Sequence, residues 1–363
     1  MKSVYTRLKD PKIISKLINN IKDISNKNSL NSITPPDIFI GRIGYPYVSI
    51  GPLFGNDANE ILAKPEYWVH DNLDDIIMKR ISLFRGLYKV KINDIENKEV
   101  IKLSEAAISY RKIDGEFHIG KVTNNLLLDE RSLPFGPGVK LNDFYLYNTN
   151  SDKRLENAYY DIDANANDIV FELYNKGVEV SSIQRLFSIG GLGIKKNRKL
   201  VPTRWSITAV DDIISKRLIE KSKEFNLIDH IELFSYSALD NHWLIFFIPG
   251  TWEYEVIEAW YPNETWNISK EIEIESSYEP YYGRNTYAEI TGSYYAAKLA
   301  IGEYLNRINK QAKVLILREV REGYKIPVGV WNIREHIRDA LKQKPIILNE
   351  LNDAITIINR FMR

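Results

Sequence analysis

The sequence AKLAIGEYLNRI at residues 297–308, followed by VLIL at residues 314–317, decides the fold class. In the first stretch apolar residues recur at the spacing of a helix with one buried face, and the second is an apolar run of strand length. Helices are also predicted over residues 331–341 and 348–361, so the C-terminal part reads helix-strand-helix. The whole chain is predicted to be a mixed α/β (α+β) protein, with mixed sheets and packed helices.

The composition is typical of a globular protein and excludes disordered and fibrous classes. Of 363 residues, 44% are hydrophobic and 27% are charged. At about 150 residues per domain, this length suggests two or three domains. The longest apolar run, residues 243–248, is far shorter than the ~20 residues that span a bilayer, so no membrane partner is expected. No signal peptide is recognised, and a cytoplasmic location is predicted.

The chain contains no cysteine, and its five histidines form no HExxH or HxxxH pair. Disulfides, thiolate zinc sites and cysteine nucleophiles are therefore excluded, and zinc is not expected. The cofactor is unknown, with Mg²⁺ held by carboxylates as the one candidate if the protein cleaves DNA.

Three segments are predicted along the chain. Residues 1–35 contain a basic amphipathic helix at 11–25, which either docks on the core or serves as an arm for nucleic acid or a partner. A soft boundary near residue 275 separates an N-terminal domain, 36–275, from a C-terminal domain, 276–363. Within the former, Asp114-Gly115 predicts the turn of a hairpin over residues 110–123.

The first candidate site is a basic loop, residues 195–204, which follows the glycines at residues 190, 191 and 193 and contains five cations and no anion. Its cations are suited to phosphates and Trp205 to stacking on a base; the alternative is a solvated loop with a core tryptophan. Tyrosines elsewhere either stack on bases or pack internally. The predicted DNA-binding residues are Arg42, Lys195, Lys196, Arg198, Lys199, Arg204, Trp205, Arg284, Tyr294, Arg318 and Arg334.

Carboxylates form the second candidate site. Thr208 and Asp211 resemble a capping box, which places Asp211 and Asp212 near a helix start, where they either hold a metal or serve the helix terminus. A strand over 252–260 puts Glu258 among aromatic residues, either as an acid–base group or in a buried salt bridge with an arginine. The candidate catalytic residues are Asp211, Asp212, Glu253, Glu258 and Glu319.

The C-terminal helix carries Ile355, Ile358, Phe361 and Met362 at the 1-4-7-8 spacing of peptides that dock on sliding clamps. The usual first glutamine and the second of two terminal aromatics are missing. The alternative is an amphipathic helix that packs on its own domain.

Several motifs together resemble the archaeal Nre family of DNA repair proteins, of the NreA type. They are IGRIGYP at 40–46 with GP at 51–52, RKLVPTRWSITAVDD at 198–212, WEYE at 252–255 with EAW at 258–260, GR at 283–284, YYAA at 294–297, and PVGVW at 327–331 with RE at 334–335. The resemblance implies a long N-terminal domain, a shorter C-terminal domain and a role in DNA repair. It also implies a clamp-binding C-terminal peptide, so the sliding clamp (PCNA) is an expected partner beside DNA. It implies no particular reaction.

The predicted function is a repair protein that binds damaged or single-stranded DNA through the basic loop. Metal-dependent, nuclease-type processing and recruitment by the clamp are extensions of this prediction. The alternatives are a non-enzymatic adaptor for the clamp and other repair proteins, and an enzyme acting on a nucleotide-like small phosphate.

Overall fold

The computed structural model describes residues 11–129, 131–262, 267, 269–324 and 327–361. Both helices and strands are present along them, which confirms the mixed α/β class. The helices are α1 (Pro11–Ser25), α2 (Leu73–Ser82), α3 (Lys98–Ile108), α4 (Lys153–Tyr160), α5 (Ala166–Asn175), α6 (Val180–Ser188), α7 (Thr203–Ser222), α8 (Gly292–Ile308), α9 (Trp331–Ala340) and α10 (Asp353–Phe361). The strands are β1 (Ser29–Thr34), β2 (Ile38–Ile40), β3 (Tyr47–Phe54), β4 (Phe84–Lys91), β5 (Ile113–Thr123), β6 (Gly138–Tyr147), β7 (Asn226–Leu227), β8 (Ile231–Ala238), β9 (Asn241–Ile248), β10 (Glu253–Trp260), β11 (Glu273–Glu279), β12 (Lys310–Gln311), β13 (Lys313–Val320) and β14 (Ile346–Leu348).

The chain forms two compact units, which divide between Ile213 and Ile214 within α7. None of the described helices is long and apolar enough to span a bilayer.

The first unit contains a six-stranded sheet in the order β1-β5-β6-β4-β3-β2. Its strands are antiparallel except for the parallel pair β4–β6. Because side chains alternate along a strand, Val48, Ile50 and Val90 lie on one face, where they are buried. The opposite face presents exposed lysines on β4 and β6. One face of this sheet is therefore part of the core, and the other carries charge.

The second unit contains a six-stranded sheet in the order β11-β10-β13-β9-β8-β14 and the small parallel pair β12–β7. The predicted strand at 314–317 is confirmed as part of β13, which is parallel to β10 and antiparallel to β9. On one face, apolar residues of the sheet pack with those of α8 and α9. On the other, Leu244 and Phe246 pack with residues of α10. The helix-strand-helix order of the C-terminal part is thus confirmed.

Two local predictions are wrong because tertiary contacts override them. Helix α7 begins at Thr203, five residues before the predicted cap, and Thr203 Oγ1 accepts a hydrogen bond from the N–H of Ile40 at 3.0 Å. Thr208 is therefore a buried residue inside the helix and not its cap. Asp114 and Gly115 lie within β5, where they pair with both β1 and β6 instead of forming a turn.

The compact units also divide the chain differently from the predicted segments. Helix α1 matches the predicted N-terminal helix, but β1 follows it and pairs with β5 of the first sheet. Strands β8, β9 and β10 precede residue 275 and share a sheet with β13. Long-range strand pairing therefore assigns residues 231–260 to the second unit. The last helix, α10, begins five residues later than predicted, because β14 occupies residues 346–348.

Candidate nucleic-acid interface

Aromatic residues are exposed on the turn that joins β2 and β3. In this turn Ile43 is 80% exposed and Tyr45 is 46% exposed. Trp205, in the first turn of α7, is 45% exposed, and its ring centroid lies 5.7 Å from that of Tyr45. Trp205 is therefore a surface residue, not the core tryptophan of the alternative interpretation.

Three segments meet around this aromatic pair through backbone hydrogen bonds. The N–H of Ile92, directly after β4, donates to the carbonyl of Pro46 at 3.0 Å. The carbonyl of Ile92 in turn accepts from the N–H of Leu200 at 2.8 Å. The β2–β3 turn, the end of β4 and the basic loop are therefore neighbours, although they are far apart in sequence.

The basic loop is held in shape by Gly190 and Arg198. Gly190 has φ +73°, and a Cβ there would lie 2.7 Å from the carbonyl oxygen of Lys199, so only glycine fits where the loop folds back. Arg198 donates at 2.7 Å to the carbonyls of Gly193 and Tyr159, and also to that of Asp161. Burial lowers the pKa of the Arg198 guanidinium. This predicted DNA-binding residue therefore positions the loop, because its donors are used internally.

The remaining cations of the loop differ in how they are paired. Arg204 forms an ion pair with Asp129 at 3.0 Å. Lys195 lies 3.1 Å from Glu96, but both side chains are well exposed, and such surface pairs contribute little. Lys196 and Lys199 are exposed and make no ion pair with any of the described residues. These two lysines are thus the most accessible cations of the loop.

Sequence reasoning missed three exposed lysines on the first sheet. Lys89 and Lys91 alternate along β4, and Lys140 on β6 pairs with Leu87, so all three lie on the open face of the first sheet. The signal was present in the alternation of Lys89-Val90-Lys91, with apolar Val90 between two cations. Here we define the basic face as the exposed residues Arg42, Tyr45, Lys89, Lys91, Lys140, Lys196, Lys199 and Trp205.

The predicted DNA-binding residues of the second unit are enclosed, in contrast to the basic face. Tyr294 is buried, and its hydroxyl donates to Glu279 at 2.8 Å, so it packs internally instead of stacking on bases. Arg334 is buried with its Nε 3.0 Å from Glu335. Arg284 donates to the carbonyl of Tyr278 at 2.6 Å and to the carboxylate of Glu289 at 2.8 Å. These side chains therefore stabilise the second unit.

Glu258 and Arg318 form the buried salt bridge that was the alternative interpretation of Glu258. Arg318 Nη1 lies 2.7 Å from Glu258 Oε1, and both side chains are buried. Arg318 also donates through Nε to Asn241 at 2.9 Å, and its guanidinium lies 5.1 Å from the ring of Trp260. The predicted acid–base role of Glu258 and phosphate role of Arg318 are therefore not supported.

The carboxylates of the second sheet do not converge on a common point. Glu319 accepts from Arg321 at 2.9 Å, and Glu253 lies 2.8 Å from Lys313. Glu258 pairs with Arg318 in the strand register, so the next residue, Glu319, points to the opposite face. Glu253 shares the face of Glu319 but is about 20 Å away along the strands at the usual rise per residue.

Asp211 and Asp212 lie in the third turn of α7, not near its start. Asp211 is buried and accepts a hydrogen bond from Gln184 Nε2 at 3.0 Å. Within the part of the chain that the structure describes, no three acidic or histidine side chains form a group suited to a metal ion.

The C-terminal helix packs on its own unit. Ile358 contacts the apolar cluster that includes Leu244 and Phe246, whereas Ile355 is 54% exposed. Met362 lies outside the described residues, and so does the side chain of Phe361. The arrangement of Ile358 matches the alternative interpretation of an amphipathic helix docked on its own domain.

Comparisons with known proteins identify the family. The model described as "Archaeal Nre, N-terminal" matches residues 8–267, and "Archaeal Nre, C-terminal" matches residues 279–363. DNA repair protein NreB of Archaeoglobus fulgidus is 35% identical over 93% of this chain and 86% of its own length. DNA repair protein NreA of the same organism is 33% identical over 94% and 87%, and NreA of Haloferax volcanii is 33% identical over 92% and 83%. No solved structure matches. The chain therefore belongs to the archaeal Nre family.

Proposed function

We propose that this protein acts in DNA repair by binding DNA, with unpaired bases preferred, through the basic face of its first unit. The relatives named DNA repair proteins support the repair role. The observation that carries DNA binding is the exposed Tyr45–Trp205 pair among six exposed cations.

The physical basis is a combination of two kinds of contact. Arginine and lysine side chains neutralise backbone phosphates and release counterions, whereas aromatic rings stack on bases. Stacking needs a base that is not enclosed in a duplex, as in single-stranded or locally melted DNA. The β2–β3 turn carries Arg42 and Tyr45, and strand β4 beside it carries Lys89 and Lys91.

The test compares a charge reversal on the basic face with a matched reversal elsewhere. Arg42→Glu/Lys89→Glu should abolish binding of a labelled single-stranded oligonucleotide, measured by fluorescence anisotropy. Lys221→Glu/Lys344→Glu changes the net charge equally at exposed lysines outside the basic face and should bind almost as well as the wild type. Equal losses in both variants, or none in the first, would contradict the proposal.

Metal-dependent cleavage lies outside this proposal. The candidate carboxylates Glu258 and Glu319 point to opposite faces of their sheet, and each is paired with an arginine. A repair protein that recognises DNA and leaves the chemistry to others is consistent with these pairings.

An adaptor role is the second candidate, and one observation favours it. Strand β11 is an edge of the second sheet, with Ile274 66% exposed and Glu273 and Glu275 exposed beside it. An acidic, partly apolar edge is suited to a basic partner segment.

Recruitment by the sliding clamp is tested separately. A chain that lacks residues 355–363 should lose binding to purified clamp at a temperature below its own unfolding midpoint, which should be lower than that of the full chain because Ile358 no longer packs on its apolar cluster. Undiminished binding by the truncated chain would eliminate the C-terminal helix as the clamp-binding segment.

A further inference from the structure

Arg85, near the start of β4, is a buried arginine whose hydrogen-bonding capacity is largely unused. The residue is 4% exposed, and its Nε and Nη1 have no hydrogen-bond partner among the described residues. Within the part of the chain that the structure describes, its Nη2 makes one long contact, 3.4 Å, with the carbonyl of Asn125. By contrast, the buried Arg80 donates to the Asp37 carboxylate and to the carbonyl of Pro134 at 3.1 Å.

The immediate surroundings of Arg85 hold the guanidinium in place without neutralising it. It lies over the ring of Phe39, with its Cζ 4.6 Å from the ring centroid. A Cβ at position 138 would lie 2.6 Å from Thr123 Oγ1 and 3.4 Å from Arg85 Nη2, so the backbone of Gly138 lies directly beside the guanidinium. Burial lowers the pKa of Arg85 to about 10, and no carboxylate of the described residues counteracts this effect.

A buried cation without an anion is costly, and buried donors without partners are rare in native proteins. We therefore expect the buried guanidinium of Arg85 to have a functional role that offsets this free-energy cost. A guanidinium presents several N–H donors in one plane, which matches the oxygen atoms of a phosphate.

The position of Arg85 connects it to the basic face. Residues 85, 87, 89 and 91 alternate onto the same side of β4, so Arg85 lies in line with Lys89 and Lys91. Asn125, whose carbonyl lies 3.4 Å from Arg85 Nη2, is itself exposed, so the guanidinium contacts a segment that lies at the surface. A bound anion would replace the contact between Arg85 and the Asn125 carbonyl. At 3.4 Å, this contact is longer than the 3.1 Å hydrogen bond from Arg80 to the carbonyl of Pro134.

We propose that Arg85 binds a phosphate monoester, presented either by the phosphorylated end of a DNA strand or by a free mononucleotide. A monoester is favoured because an internal phosphodiester continues in two directions and cannot enter a site below the surface, whereas a terminal phosphate can. The DNA-end form rests on the proposed function, since Lys89 and Lys91 would guide the strand toward Arg85. The mononucleotide form does not depend on it.

The first experiment measures anion binding without DNA. Inorganic phosphate and deoxyadenosine monophosphate should raise the thermal unfolding midpoint of the wild type, relative to chloride at equal ionic strength. Arg85→Gln should fold at least as stably as the wild type in phosphate-free buffer, because it removes a buried unpaired charge, and it should lose the increase. Arg85→Lys keeps the charge but not the planar donors, so it should retain only part of the increase.

The second experiment measures the two DNA ends. The wild type should bind an oligonucleotide with a terminal phosphate about 10- to 100-fold more tightly than the same strand with hydroxyl ends, as expected for hydrogen bonds to a charged group. Arg85→Gln should abolish this difference while still binding the hydroxyl-ended strand.

The outcomes separate this inference from the proposed function. Binding of DNA through the basic face with no preference for a phosphorylated end, and no stabilisation by either small phosphate, would overturn the role of Arg85 alone. Stabilisation by small phosphates that depends on Arg85, with no DNA binding, would support the site as a mononucleotide site and overturn the proposed function.

Discussion

Replacing Lys196 and Lys199 by alanine should reduce both the affinity for single-stranded DNA and its dependence on salt. Both lysines are exposed and free of ion pairs among the described residues, so each is available to a phosphate. Each neutralised phosphate of a single strand contributes about 0.7 to the slope of log affinity against log salt concentration. The six cations of the basic face give a slope of about −4, and loss of two reduces it to about −3.

The same relation gives the expected loss of affinity. At about 0.1 M salt, two lost contacts correspond to a decrease of roughly 25-fold, or about 2 kcal/mol. Fluorescence anisotropy titrations over a salt series measure both quantities. Lys221→Ala/Lys344→Ala is the matched control and should keep the wild-type slope. A slope that is the same in the wild type and the Lys196→Ala/Lys199→Ala variant would refute the assignment of these lysines to phosphates.

Three further predictions concern single features of the structure. Trp205→Ala should weaken single-stranded DNA binding by roughly 5- to 150-fold, the range for one stacked base, while Trp205→Phe should retain most of the affinity in the same anisotropy assay. Glu258→Gln should lower the free energy of unfolding by about 3 to 5 kcal/mol in urea titrations, because the buried charge of Arg318 loses its carboxylate partner; adding Arg318→Met should restore part of this free energy. Burial raises the pKa of Glu279, but the Lys298 ammonium and hydrogen bonds outweigh it, so the folded pKa lies below the ordinary 4.5. The stability from Glu279 is therefore present above pH 4.5 and lost as pH falls through the folded pKa, and Glu279→Gln should flatten this pH dependence in unfolding titrations.

Much of the candidate site was predicted at the level of segments. The basic loop and Trp205 were identified because a run of cations beside an aromatic residue is visible in any local window. The sequence did not show that the donors of Arg198 are used internally and are not available to DNA, since its carbonyl partners at Tyr159 and Asp161 lie about forty residues away along the chain. Lys140 was missed because only the pairing of β4 with β6 places it beside Leu87.

The sequence by itself determined the elements in which local periodicity and burial agree, such as the helix that begins at Pro11 and the strand around Val314–Leu317. It also determined the family, because long motifs typical of the Nre family occur along the chain in the order of that family. Only the tertiary structure decided which charged residues are accessible: Arg318 and Arg334 are buried in salt bridges, whereas Lys196 and Lys199 reach solvent. The physical reason is that the availability of a charge depends on partners brought close by strand pairing and packing, and these partners come from distant parts of the chain.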